Sequence, residues 1–209
     1  MIHKIHLTSF RNFKDKLLSF SDQTTVIVGP NASGKTNILE SLFLLSTGKS
    51  FRARIEEEMI NYDEEIARVK GASGTDKFEV VLTRGEIEIG ESQIEKVARK
   101  KLLVNNVARR LIDFAGNFKI VIFGPWDLGL VLDAPSVRRN FLDTVLSQVD
   151  REYRRASLSY EKGLRQRNKL LFRIREEGLS RSQLLFWDRL LIKNGDYISQ
   201  RREEFIQFI

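Results

Sequence analysis

Cysteine is absent from the 209 residues, so disulfides, thiol catalysis and cysteine-ligated metals are excluded, and a reducing cytoplasm is the default compartment. Histidine is nearly absent. Only His3 and His6 offer imidazole, which rules out a histidine-rich metal site. No apolar run approaches the ~20 residues of a membrane span, and the opening MIHKIHLTSF lacks the long apolar core of a secretory signal. There is no internal repeat and no low-complexity tract. What is present is a 42% hydrophobic, 30% charged chain, enough for a packed core in one large domain or a domain with an appendage. The net charge of +7 is uneven. From Arg151 onward there are 14 Lys and Arg against 8 Asp and Glu, whereas the first 150 residues hold 21 against 20. A basic C-terminal segment suits a polyanion such as DNA, and it equally suits an Arg-rich solvated helix face.

The first ~125 residues read as strand-rich by their alternating β-type runs. IHKIHL, TTVIV, FEVVLTR, EIEI and KLLVNNVAR are short β-type runs. Asn105-Asn106 suits a tight hairpin turn, because Asn tolerates positive φ. FKIVIF, apolar apart from Lys119, predicts a buried strand. Between these runs, Gly34 to Thr47 predicts a helix, with Ile38, Leu42 and Leu45 on one face. Beyond Pro125 the pattern turns helical. Pro135 sits at a plausible first turn, and two long stretches follow. One carries Tyr153, Ser157, Tyr160, Leu164, Asn168 and Leu171 at spacings of three and four; the other carries Trp187, Leu191, Asn194, Ile198 and Phe205. Gly178 reads as the stop between them and Ser180 as the next cap, which predicts an antiparallel helix hairpin. The terminal RREEFIQFI reads as helix interior with no stop signal, so the expectation is that the protein continues.

VGPNASGKTN contains G-x-x-x-x-G-K-[ST] at Gly29, Pro30, Asn31, Ala32, Ser33, Gly34, Lys35 and Thr36, followed by Asn37. An apolar run precedes it and a helical run follows, as a phosphate-binding loop requires. The glycines let the backbone curl with its N–H groups inward, and the helix N-terminus adds partial positive charge. Lys35 would reach the β/γ phosphates, and the Thr36 hydroxyl would hold Mg²⁺. Hydrolysis needs more: an acid at the end of an apolar strand and a group that positions water. Asp133 in LVLDAP is the nearest candidate acid, but Ala134 stands where a catalytic Glu would follow, and a turn aspartate ahead of Pro135 is the favoured reading. LSRSQ, Leu179 to Gln183, lacks the two glycines of an LSGGQ signature and reads as a helix start. Asn168-Lys169-Leu170-Leu171 lacks the Asp of a base-reading N-K-x-D, which argues against a GTPase.

LTSFRNF, GPNASGKTNILESLFLLSTGKSFR, VIFGPWDLGLVLDAPSVRRNFLD and YEKGLRQRNKLL, in this order, together resemble the RecF family of bacterial recombination mediators, relatives of the SMC and ABC-type ATPases. The resemblance implies an α/β fold: an ABC-type ATPase head lobe with a mixed twisted sheet over 1–125, then a helical lobe over 126–209. It implies ATP and Mg²⁺ as ligands and DNA, duplex or gapped, as partner. It further implies an ATP-dependent homodimer, and RecR, RecO and RecA as protein partners. Recombinational repair, replication restart and the response to DNA damage in the bacterial cytoplasm would be the setting.

Carried over residue by residue, the resemblance makes Arg11 and Asn12 candidates for phosphate or adenine contact. It gives Arg52, which follows Ser50 and Phe51, to either the ATP site or DNA. Arg138 and Arg139 look like the family's paired arginines, or serve packing between lobes. Arg154, Arg165 and Arg173 are candidate DNA contacts. Two departures stand out. Ala32 replaces a loop glycine, which is permissible only if its φ is negative, and Trp126 replaces an acid, leaving Asp127 beside it. The signature and the acidic magnesium strand do not occur in the 209 residues, so this chain is expected to bind nucleotide and not to turn it over. A bare interaction module, with the helical arm docking a partner, is the alternative. A small P-loop kinase would need a lid and an acceptor motif, neither of which is found.

Overall fold

The computed structural model describes residues 1–89 and 93–208. They divide into two compact units, Met1–Phe123 and Gly124–Ile209. In the first unit, β1 (Ile2–Phe10) and β2 (Phe13–Ser19) form a hairpin whose turn holds Arg11 and Asn12. The loop that follows leads into α1 (Lys35–Thr47). Next come β3 (Ile66–Ser73), β4 (Asp76–Thr83), β5 (Glu86–Ile89), β6 (Gln93–Lys96), β7 (Lys100–Val104) and β8 (Val107–Arg109). Five of these strands with β8 make one sheet in the order β2-β1-β3-β4-β7-β8, and β5 and β6 pair separately. The strands alternate as a half-buried sheet requires. Ile5 and Leu7 of β1, Ala67 and Val69 of β3, and Val80 and Leu82 of β4 are buried on one face, where Ile38, Leu44 and Leu45 of α1 join them. Asn105 (φ 52) and Asn106 (φ 65) make the left-handed turn between β7 and β8, as their identity predicts.

Every ladder among the described residues is antiparallel. The α/β class and the head-lobe architecture hold, but the parallel component of a mixed sheet is not formed, and the reason is local. TTVIV, read as a β-type run, and FKIVIF, read as a buried strand, lie outside the ladders. Each has apolar residues on both sides, with Lys119 and the two threonines as exceptions, and each lays one side on the core, through Ile27 and Phe118. The other side faces solvent: Val26 is 77% exposed, Val28 83%, Val121 94% and Phe123 82%. A run apolar on both sides suits a strand with neighbours and a covering layer. The sheet strands of this unit are already committed to one antiparallel series, and strand preference follows packing context more than intrinsic propensity.

The second unit is helical: a short turn at Pro125–Leu128, then α3 (Gly129–Leu132), α4 (Pro135–Val149), α5 (Arg151–Glu177) and α6 (Leu184–Phe208), with α2 (Leu111–Phe114) belonging to the first unit. Pro135 opens α4, where its missing N–H costs nothing. Asp150 caps α5 by accepting from the Tyr153 N–H at 2.9 Å. Gly178 (φ 67) ends α5, and Ser180 accepts from Ser182 N–H, so LSRSQ is a helix start.

α5 and α6 run antiparallel. Arg167 meets Asp188 at 2.6 Å; a β-carbon on Gly163 would lie 2.7 Å from Leu190, and one on Gly195 3.4 Å from Tyr160. The small core of Leu146, Tyr153, Ala156 and Ile198 sits where α4 joins the pair. Around it, Asp143 accepts from Tyr153 and from Arg202 (2.7 Å), and Asp150 accepts from Tyr197 (3.2 Å) and Arg201 (2.9 Å). Burial pushes the Tyr153 phenol well above its ordinary value, and the Asp143 carboxylate adds to the shift. No described helix is long and apolar enough to cross a membrane. Ile209, the last residue of the terminal helical run, lies outside the described residues.

Replacing Val121 by Thr together with Phe123 by Ser is expected to change unfolding stability by no more than about 0.5 kcal/mol, as for exposed sites, while lowering anilinonaphthalene sulfonate fluorescence and self-association. A large loss of stability in chemical denaturation would show that these side chains are covered in solution.

Candidate nucleotide site

The loop Gly29 to Gly34 emerges beside the β1–β2 turn and feeds directly into α1. Gly34 is the residue before the helix (φ 97), a conformation that favours glycine. It is also hemmed in: a β-carbon there would lie 2.5 Å from Phe13 Cζ and 2.7 Å from Asn12 Oδ1. No side chain caps α1. Its first N–H groups have no intrahelical partner by geometry, and they open onto an exposed loop. Lys35 turns back into the loop, its Nζ donating to the carbonyls of Gly29 and Pro30 at 2.7 Å each. Thr36 is exposed on the first helical turn. Backbone amides at a helix N-terminus and an ammonium converging on one loop make a cradle for a polyphosphate, although the Ser33 N–H is turned to the Pro30 carbonyl at 3.3 Å here. A phosphate would compete with the two carbonyls for Lys35, and the Thr36 hydroxyl would hold a magnesium ion borne by the nucleotide. These residues fit ATP and Mg²⁺.

Ala32 corrects an expectation. Its φ is +63, not negative, so an alanine occupies the left-handed region that a glycine would fill without strain.

The floor beneath the loop is a carboxylate that the sequence reading did not single out. Glu40, one turn into α1, has no exposed side-chain surface. Arg11 reaches it from the β1–β2 turn, with Nε to Oε2 at 2.9 Å and Nη2 to Oε1 at 2.7 Å. Arg52 reaches it from the segment after α1, with Nε and Nη2 donating to Oε2 at 3.0 and 2.8 Å, and Ser50 donates to Oε1 at 2.6 Å. Burial pushes the Glu40 carboxyl up. The hydrogen bonds from Arg11, Arg52 and Ser50, with the charge of Arg11, outweigh it and hold the group below its ordinary value of 4.5. The polar chain continues outward. Arg52 Nη2 donates to Asn37 Oδ1, Asn37 Nδ2 donates to Asn12 Oδ1 at 2.7 Å, and Asn12 Nδ2 donates to the Ala32 carbonyl at a long 3.4 Å. The turn carrying Arg11 is anchored from behind: Arg11 N–H donates to Met59 O at 2.9 Å, and Asn61 Nδ2 donates to Arg11 O at 2.8 Å. Glu40 is the one acid in the α1 sequence, and no local pattern marks it as buried.

The structure thus gathers Gly29 to Asn37 with Asn12, and brings Arg11 and Arg52 to the same place, but turned toward Glu40. Their role as direct phosphate contacts is not what this geometry displays. In the helical unit, Arg154 is buried, 8% exposed, and donates to the Ser147 carbonyl, so it is withdrawn from the DNA candidates: the first turns of α5 pack into the core there. Arg173 is exposed and pairs with Glu177 one turn on, at 2.8 Å. Arg138 caps α3 through the carbonyls of Leu130 and Asp133, at 3.2 Å each. Arg139 and Arg165 are exposed. Asp133 ends α3 rather than a strand, the turn aspartate that its position before Pro135 suggested. Asp127 accepts from the Gly124 N–H at 2.7 Å, a local cap. Among the described residues, no three His, Cys, Asp or Glu side chains gather as a metal site.

The uncapped helix behind a glycine-flanked loop defines a P-loop nucleotide-binding head. Residues 1–118 match the RecF/RecN/SMC N-terminal domain family, and the chain belongs to that family. Within it, the similarity is to the N-terminal half of RecF. The chain is 35% identical over 208 residues to the DNA replication and repair protein RecF of Bacillus cytotoxicus, covering 100% of this chain and 53% of the relative. It is 34% identical over 212 residues to RecF of Ligilactobacillus salivarius, covering 99% and 52%. A solved structure of the recombination mediator RecF with ATP, in the RecFOR pathway, superposes with a TM-score of 0.85 at 32% identity, over 99% of this chain and 54% of that one. The chain therefore spans about half the length of the relatives it matches.

Glu40→Ala should cost about 3–5 kcal/mol in denaturant unfolding, the usual result of leaving buried charges without their partner. Because the folded Glu40 is held below 4.5, its stabilisation is present above that pH and is lost as pH falls through the depressed value. Glu40→Gln should accordingly flatten the acid limb of stability against pH. Ala32→Gly should stabilise by about 0.5–1 kcal/mol by relieving the left-handed alanine, read from the same unfolding curves.

Proposed function

We infer that this chain is the nucleotide-binding portion of a RecF-like, ATP-dependent DNA-binding protein of recombinational repair and replication restart. The observation that carries the reading is the uncapped α1 N-terminus behind an exposed loop, with Lys35 already turned into that loop. The names of the relatives, DNA replication and repair protein RecF and a RecF with ATP in the RecFOR pathway, support it. The head lobe, 1–125, binds the β and γ phosphates through backbone N–H groups of the 29–36 loop, Pro30 excepted, and through Lys35. Thr36 holds Mg²⁺, which supplies charge neutralisation at the phosphates when bound. The helical lobe, 126–209, contributes the basic excess. Of its candidate arginines, Arg139 and Arg165 present their charge to solvent, and Arg138 and Arg173 would have to leave local partners. DNA held by such arginines binds through counterion release. Its partners are a second copy in an ATP-dependent dimer, and RecR, RecO and RecA; its place is the bacterial cytoplasm, at the nucleoid.

The second reading, a docking module whose loop merely orders the lobe, draws on one observation. Phe172 (61% exposed), Leu185 (57%) and Phe186 (64%) stand exposed near the closed end of the helix hairpin.

ATP with Mg²⁺ should bind in titration calorimetry, and Lys35→Ala should weaken binding about tenfold to a hundredfold, the worth of a charge-assisted hydrogen bond. No steady-state hydrolysis is expected; turnover abolished by Lys35→Ala would reverse that expectation. DNA retention that rises with ATP and falls with salt supports the ATP-dependent DNA-binding reading, and retention indifferent to ATP supports the docking module.

A further inference from the structure

One negative carboxylate faces two guanidinium groups under the loop, and the polar chain from it ends on the loop itself. Arg52, Asn37 and Asn12 lead from Glu40 to the Ala32 carbonyl. Arg11 leads from Glu40 to the backbone of the turn that carries Asn12. Asn12 then touches the loop twice: by its donated hydrogen bond to Ala32, and by its Oδ1, which lies against the open side of Gly34. Ala32 is the loop residue with an unfavourable backbone, φ +63. A strained conformation persists only where the surroundings over-determine it. The side-chain contact on Ala32 itself comes from Asn12, which the chain through Asn37 and Arg52 links to Glu40.

We propose that Glu40 is a positioning residue of the nucleotide site: through Arg11 and through Arg52, Asn37 and Asn12 it holds the Ala32 to Gly34 backbone in the curled form that directs amides at a polyphosphate. This rests on the reading of the loop as a nucleotide cradle, and it extends that reading to a residue touching no phosphate. A rival account comes from electrostatics alone. If Arg11 and Arg52 acted only as nearby positive charge, neutralising Glu40 would unmask that charge and tighten anion binding. If Glu40 acts by position, neutralising it weakens binding. The two accounts predict opposite signs.

The experiment compares the 209-residue chain with Glu40→Gln and Asn12→Ala. Backbone ¹⁵N order parameters are measured without nucleotide, and ATP–Mg²⁺ affinity is measured by calorimetry. The wild-type amides of residues 31–35 should sit near the rigid value of about 0.85 and fall toward about 0.6 in both variants, with β3 and β4 unchanged. ATP affinity should fall about tenfold in Glu40→Gln and about threefold in Asn12→Ala, the scale of one or two lost hydrogen bonds. Order parameters at 31–35 that match wild type in a folded Glu40→Gln, or tighter ATP binding in it, would overturn the proposal. If Glu40→Gln does not fold, Asn12→Ala, altered at the exposed end of the chain of contacts, decides alone by the same two readouts. If wild type binds no ATP yet the order parameters respond as described, the nucleotide reading fails and the positioning role stands.

Discussion

A carboxylate with no exposed surface has to be solvated by the protein, and Glu40 draws three separate stretches of chain together to do it. Arg11 comes from the first hairpin, Ser50 and Arg52 from beyond α1, and the helix itself presents the acid. Removing a charge from water costs several kcal/mol unless its hydrogen-bonding capacity is filled, and here five donated bonds fill it. The loop above inherits its shape from this requirement. The turn that supplies Arg11 also supplies Asn12 and Phe13, and these side chains occupy the space that makes Gly34 obligatory. Sequence-distant residues therefore settle a loop whose own residues make few bonds among themselves.

The two units are stabilised differently. The first relies on an apolar sheet face against α1, with cross-strand pairs in a regular antiparallel register. It leaves Thr24 to Val28 and Phe118 to Phe123 half covered, with Val26, Val28, Val121 and Phe123 exposed on their other sides. The second relies on a narrow seam. Its buried apolar set is small, and the contacts at its base are carboxylate–tyrosine–arginine groups, where Asp150 is both helix cap and ion-pair partner. Burial pushes the Asp150 carboxyl up, but the Tyr153 N–H, Arg201 and Tyr197 hold it below its ordinary 3.8.

Features written in local stereochemistry were legible in the sequence. The phosphate loop, the Asn105-Asn106 turn, the start of α4 at Pro135, the stop at Gly178 and the pairing of α5 with α6 each follow from the conformational range of a few neighbouring residues or from helical spacing. What escaped depends on residues far apart. Apolar runs around Val26 and Val121 look like strands, but a strand exists only with a neighbour to bond. Arg154 looks like a surface cation until the α4–α5 junction closes over it. Glu40 looks like an ordinary helix-surface acid until two arginines, 29 residues before it and 12 after, converge on it. Ala32 looks like an alanine that needs negative φ, yet surrounding contacts impose the other sign.

The helix hairpin is tied unevenly along its length. Its ties to α4, through Asp143 and Arg202 and through Asp150 and Arg201, lie at the root; an inter-helix ion pair, Arg167 with Asp188, stands nearer the closed end, which carries exposed aromatic rings. Mechanically this is a cantilever, stiff where it is clamped and compliant where it is loaded. A load on the outer turns has its longest lever arm at the root, so the Asp143 and Asp150 contacts are the ones that must resist it.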